Sequence, residues 1–78
     1  MIEEAQRISP HPNPFTHYIS INNGNNETSV AALINVYGQI VLKTELMPGM
    51  NSIDLVKLPS GTYFIEVNNN IYKVFKAK

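Results

Sequence analysis

"LPSGTYFIEVNNNIYKVFK", residues 58–76, sets two short alternating runs on either side of three asparagines. In Thr62–Val67, Tyr63, Ile65 and Val67 fall on one face and Phe64 and Glu66 on the other. That period of two is the mark of a half-buried strand. Glu66 shares its face with Phe64, so the row Tyr63–Ile65–Val67 is expected to face the core. Asn68-Asn69-Asn70 reads as a hairpin loop, because asparagine tolerates positive φ. Ile71–Lys76 then runs back as a closing strand, which Val74 or Phe75 must anchor. Ahead of the pair, Leu58-Pro59-Ser60-Gly61 fits a type I turn, with proline second and glycine fourth.

The same grammar extends upstream. Ser52–Leu55 is a short strand. Before it, "MPGM" places Pro48 and Gly49 at the centre of a type II turn, where glycine supplies positive φ. Ile40–Leu46 is a strand entered through Tyr37-Gly38-Gln39. "TSVAALINV", Thr28–Val36, is apolar on both faces, with Val30, Ala32, Ile34 and Val36 in one row and Ala31 and Leu33 in the other. Two-sided apolarity predicts a central strand, though periodicity alone does not say which row faces inward. "NNGNNE", Asn22–Glu27, is a polar loop. Phe15–Asn22 alternates, with Phe15, His17, Ile19 and Ile21 together and Tyr18 opposite. Ile2–Ile8 is a weak strand. Pro12-Asn13-Pro14 cannot pair as a central strand, since proline lacks a backbone donor, and residues before proline are pushed toward extended geometry. A stiff, extended, poorly paired entry into the first strand is predicted there. Helical spacing is missing throughout, and six to seven short strands with tight turns indicate an all-β antiparallel sandwich.

Composition narrows the function. The chain has 78 residues, no cysteine, six basic and six acidic side chains. One small domain of marginal size is implied, without disulfides, thiolate metal sites or thiol catalysis. Residues 1–39 carry one arginine against three glutamates, net −2, and residues 40–78 carry five lysines against three acids, net +2. Neither half is charged enough for nucleic acid or a membrane surface. No apolar run reaches the length of a membrane span. "MIEEAQRIS", residues 1–9, has neither the basic start nor the apolar middle of a signal peptide. His11 and His17 are the only histidines. With no acid near them in sequence they read as surface or packing residues ahead of metal ligands. The acids are scattered, the serines have no histidine partner at a known spacing, and the four glycines are isolated turn residues. No enzyme, metal site or cofactor is expected.

Four pieces in order carry a resemblance: "HPNPF", "INVYGQIV", "PGMNSIDLVKLPSGTYFIEV" and "YKVFKAK". Together they resemble the type A C-terminal sorting domains of the type IX secretion system of Bacteroidetes, also called Por secretion C-terminal domains. The likeness runs from about His11 to Lys76. It implies an immunoglobulin-like β-sandwich that ends a secreted protein and directs the folded cargo from the periplasm through the outer membrane. A surface sortase then usually removes the domain, leaving the cargo on the cell surface or in the medium. The family's motifs fall on Pro12, Asn13 and Pro14; on Gly38 and Gln39; on Leu58, Pro59, Ser60, Gly61 and Tyr63; and on Lys73, Val74, Phe75 and Lys76. Two departures are His11, where the family often carries tyrosine or another apolar residue, and Tyr37, where leucine is common. Implied partners are the translocon and the outer-membrane shuttle and sortase proteins. Residues 1–10 would be a linker or a remnant of upstream cargo, and residues 11–78 the sorting domain. The Pro12–Pro14 entry would separate cargo from sandwich and offer a protease an extended target; proline there also blunts a sheet edge. The terminal strand is expected to present an exposed edge to which a partner adds a strand, and exposed edges offer a route to a homodimer. The alternative function is an accessory sandwich that binds carbohydrate or spaces domains in an extracellular protein.

Overall fold

The computed structural model describes residues 10–77. Its strands are β1 (Tyr18–Asn23), β2 (Ser29–Ile34), β3 (Ile40–Leu46), β4 (Gly49–Asp54), β5 (Gly61–Val67) and β6 (Asn70–Lys76). β5 and β6 form the hairpin read from the sequence, in register from Gly61↔Lys76 to Val67↔Asn70. Asn68 and Asn69 are its two loop residues, at φ +52° and +69°. Two successive positive φ values match the twist of flanking strands, which is why asparagine serves here. The weak strand expected at Ile2–Ile8, and all but the last residue of the expected linker, lie outside the described residues.

Two antiparallel sheets result. The larger has the order β3-β2-β5-β6, and the smaller pairs β1 with β4. The described residues thus form an all-β antiparallel sandwich of six strands, consistent with an immunoglobulin-like arrangement. β2 is central, as its two-sided apolarity predicts. The row that faces inward is Ala31 and Leu33, while Val30 is half exposed. Ala32 lies on the outer face yet is buried, with Lys43 and Glu66 as its cross-strand partners. A bulge at Val41 shifts the β2–β3 register, so that Leu33 faces Leu42 but Ile34 faces Ile40.

The core joins Ile19 and Ile21 of β1 and Leu55 to Ala31, Leu33, Leu46, Tyr63, Ile65, Val67 and Val74 of the larger sheet, with Phe15 beside them. Tyr63, Ile65 and Val67 therefore face inward as their alternation predicts. His17 does not join Phe15, Ile19 and Ile21: it is exposed, because the strand begins only at Tyr18. Asn23, read as loop, instead ends β1 and is buried. Its amide donates to the carbonyls of Glu27 and Leu46 (both 3.1 Å) and its Oδ1 accepts from Asn25 N–H, so the buried polar group is satisfied.

Between β3 and β4 the chain crosses from one sheet to the other through Met47-Pro48-Gly49. Gly49 has φ +97°, as the predicted turn demands. Asn51 closes this corner: its Oδ1 accepts Met47 N–H and its Nδ2 donates to the Met47 and Gly49 carbonyls. A Cβ on Gly49 would meet no atom within 4 Å, so the cost of alanine there is backbone strain alone. Gly49→Ala should destabilise by roughly 1 kcal/mol or more; an unchanged urea midpoint would refute the positive-φ corner.

The type I turn expected at Leu58–Gly61 lies earlier. Leu58 N–H donates to the Leu55 carbonyl (3.1 Å) and Asp54 Oδ1 accepts from Val56 N–H (3.1 Å). The aspartate ending β4 initiates the turn by bonding two residues ahead, as Asp does in loops. This leaves Leu58–Ser60 as the run-in to β5.

Candidate recognition surface

The proline entry is pinned to both sheets. His11 exchanges two backbone hydrogen bonds with Ser20 of β1 (3.0 and 2.7 Å). Phe15 N–H donates to the Phe75 carbonyl (2.9 Å), and Ala77 N–H donates to the Phe15 carbonyl (2.7 Å), a parallel bridge to the end of β6. Between them Asn13 uses its side chain. Its Oδ1 accepts from Phe75 N–H (2.9 Å), and its Nδ2 donates to the Lys73 carbonyl (3.2 Å). Both prolines follow cis peptide bonds. The expectation of a poorly paired entry is therefore corrected. Two prolines prevent a continuous ladder, but the carboxamide between them supplies the donor and acceptor that a peptide group would have offered. The exposed terminal edge is corrected with it, since residues 13–15 cover β6 from Lys73 to Ala77.

Within β6, Val74 is the buried anchor and Phe75 is half exposed. Lys73 is exposed, but Lys76 is only 5% exposed and is no solvated edge lysine. Lys76 shares the inward face with Val74 and stands opposite Gly61, which brings no side chain. Its apolar stem suits that position at the rim.

The glycine turn is organised by a residue that sequence reasoning passed over. Asn35 Oδ1 accepts from the N–H groups of Tyr37 and Gln39 (2.9 and 3.0 Å), its Nδ2 donates to Gln39 Oε1 (2.9 Å), and its N–H donates to the Gln39 carbonyl (2.9 Å). Gly38 sits at φ +82° inside this loop. An asparagine four residues ahead of a glutamine across a glycine was the available signal. The result holds Tyr37 out in solvent, 84% exposed.

Tyr63 donates its hydroxyl to the Pro59 carbonyl at 2.6 Å. A tyrosine near the start of a strand, bonded back to the preceding loop, is the tyrosine corner of immunoglobulin-like sandwiches. The ring fills the core while the hydroxyl fixes the run-in Leu58–Ser60. Tyr63→Phe should cost about 0.5–1.5 kcal/mol, the net worth of one such bond. A melting curve and urea midpoint unchanged from the parent would deny the hydroxyl this role.

Two of these elements meet at one end of the sandwich. Asn35, Val36 and Tyr37 face Pro59–Tyr63 across a surface groove of about 240 Å³. Gly61 and Thr62 are in turn paired with Lys76 and Phe75, and Lys76 bridges to Phe15. The fold thus brings the glycine turn and the Leu58–Tyr63 stretch together and pairs the latter with the terminal strand, while the proline entry lies along the outer side of that strand, beside Lys73–Phe75. None of the eight residues lining the groove is acidic or basic, so it can recognise by shape and hydrogen bonding. Among the described residues no group of three or more His, Cys, Asp or Glu side chains gathers as a metal site would require, and no helix is long and apolar enough to cross a membrane.

No curated protein matches the chain. The family model for the secretion system C-terminal sorting domain matches residues 9–77, spanning every motif placed above. The chain belongs to the C-terminal sorting domain family of the type IX secretion system.

Proposed function

We propose that this domain carries an attached cargo protein across the outer membrane through the type IX translocon, by surface recognition and with no chemistry of its own. The observation that carries the proposal is the family match over residues 9–77. A type IX sorting domain implies engagement with that machinery and export to the cell surface or extracellular space. The meeting of the glycine turn with the Leu58–Tyr63 stretch at one end supports a contact surface there. The uncharged groove favours packing and hydrogen bonding over long-range attraction. In the proposed sequence the cargo passes through the periplasm, an outer-membrane shuttle takes the folded domain, and a surface sortase cuts on the cargo side of the sandwich.

Residues 1–78 fused to the C-terminus of a periplasmic reporter test this in two strains, one with a working type IX translocon and one without. The reporter should leave only the first strain, and its mass outside the cell should lack the domain. Equal release from both strains would refute the proposal. Release with the domain still attached would refute the sortase step alone.

A further inference from the structure

Residues 13–15 occupy the outer edge of β6 as a strand from another polypeptide would. In β6 and just beyond it the peptide groups of Lys73, Phe75 and Ala77 point away from β5, and four hydrogen bonds with Asn13 and Phe15 take them up. Two of the four come from a carboxamide side chain standing in for a peptide group. Prolines on either side of Asn13 supply no N–H, so the ladder is partial. By the same alternation Ile71 turns its peptide groups outward, and among the described residues no hydrogen bond reaches them. Of this segment only Phe15 is buried, at 1% exposure, whereas Pro12, Asn13, Pro14 and Thr16 are exposed. One aromatic anchor, a short run of edge bonds and the His11–Ser20 backbone pair therefore hold the clasp.

We propose that the clasp is exchangeable: the edge of β6 accepts, in place of residues 11–15, an extended segment of a second polypeptide. The segment runs parallel to β6 and places an aromatic or large aliphatic side chain where Phe15 lies. A partner strand without prolines supplies a backbone group at each point where Asn13 supplies a side chain, and reaches Ile71 as well. Strand addition to an edge takes its affinity from such main-chain bonds and its specificity from the anchored side chain. Displacing the clasp also releases His11 and Asn13 from the two sheets. Occupation of the terminal strand thereby frees the junction where cargo would be attached. For its biological partner this rests on the sorting function proposed above. Its test uses no secretion apparatus, so failure of one leaves the other standing.

The probe is an end-blocked peptide of residues 10–17, with a control peptide carrying alanine at the Phe15 position. The readout is residue-resolved amide exchange in the full 78-residue chain. In Asn13→Ala, Phe75 N–H loses its acceptor and should exchange about tenfold faster. Ala77 N–H, held by the Phe15 carbonyl, should change less. In Phe15→Ala both should exchange faster, and the probe should bind saturably and restore slow exchange at both, while the control peptide should not. If Phe15→Ala does not fold by itself, the probe should restore a cooperative melting transition and the control should not. Unchanged Phe75 exchange in Asn13→Ala would overturn the clasp. A Phe15→Ala chain that the probe neither protects nor refolds would overturn the exchange.

Discussion

Phe15→Ala will lower the stability of the domain by about 3–5 kcal/mol, the usual cost of emptying a buried phenylalanine site. Phe15 is 1% exposed and belongs to the core cluster, although it lies outside every regular strand. Its backbone also forms the bridge to the end of β6. Losing the ring therefore removes packing and loosens the one buried side chain of the clasp. A domain of this length has roughly 4–12 kcal/mol to lose, so the variant should sit near its unfolding threshold at room temperature. Urea denaturation checks it. A midpoint shift worth under about 1 kcal/mol, as for a surface substitution, would mean that Phe15 does not fill the core.

Ile65→Ala is expected to cost about 2–5 kcal/mol. Ile65 is 2% exposed in β5, paired to Leu33 of β2 on one side and Tyr72 of β6 on the other. A cavity at the middle of a central strand has neighbours on both sides that cannot close in without breaking register, so the loss should fall toward the upper part of that range. The outward neighbour Glu66 gives the contrast: Glu66→Ala should stay within about 0.5 kcal/mol, as exposed sites do. Equal effects at the two positions would mean that the strand's frame is reversed.

These positions show how far the sequence carried. Alternation placed Tyr63, Ile65 and Val67 inward because Glu66 breaks the symmetry of β5. In β2 no charge does so, and only pairing with β3 and β5 decides for Ala31 and Leu33. Turns whose φ demands a particular residue, at Gly49 and Asn68-Asn69, were legible. The Leu58–Gly61 turn was misplaced because Asp54 ends β4 and starts the turn earlier, and proline with glycine only resembled one. The clasp was illegible for a different reason. A side chain replacing a peptide group sixty residues away leaves no local period. The burial of Lys76 was hidden as well, since its place follows from the pairing with Gly61 across the hairpin. The motif positions were found through family resemblance. The meeting of the glycine turn with the Leu58–Tyr63 stretch emerges only from the pairing of β2 with β5 and the loop that Asn35 holds.

The most direct measurement is the fraction of reporter outside the cell when the fusion carries the intact domain or a domain lacking Val74–Lys78, in a bacterium with a working type IX system. The deletion removes the inward anchor Val74, which is 2% exposed, and two of the three partners of the Asn13–Phe15 clasp, Phe75 and Ala77. Lys73→Gln with Lys76→Gln, in a third fusion, separates charge from strand. The intact fusion should appear outside the cell and the truncated one should remain in the periplasm. An intact fusion that stays in the periplasm, with the domain shown there to be folded, would contradict the assignment of export to this sandwich.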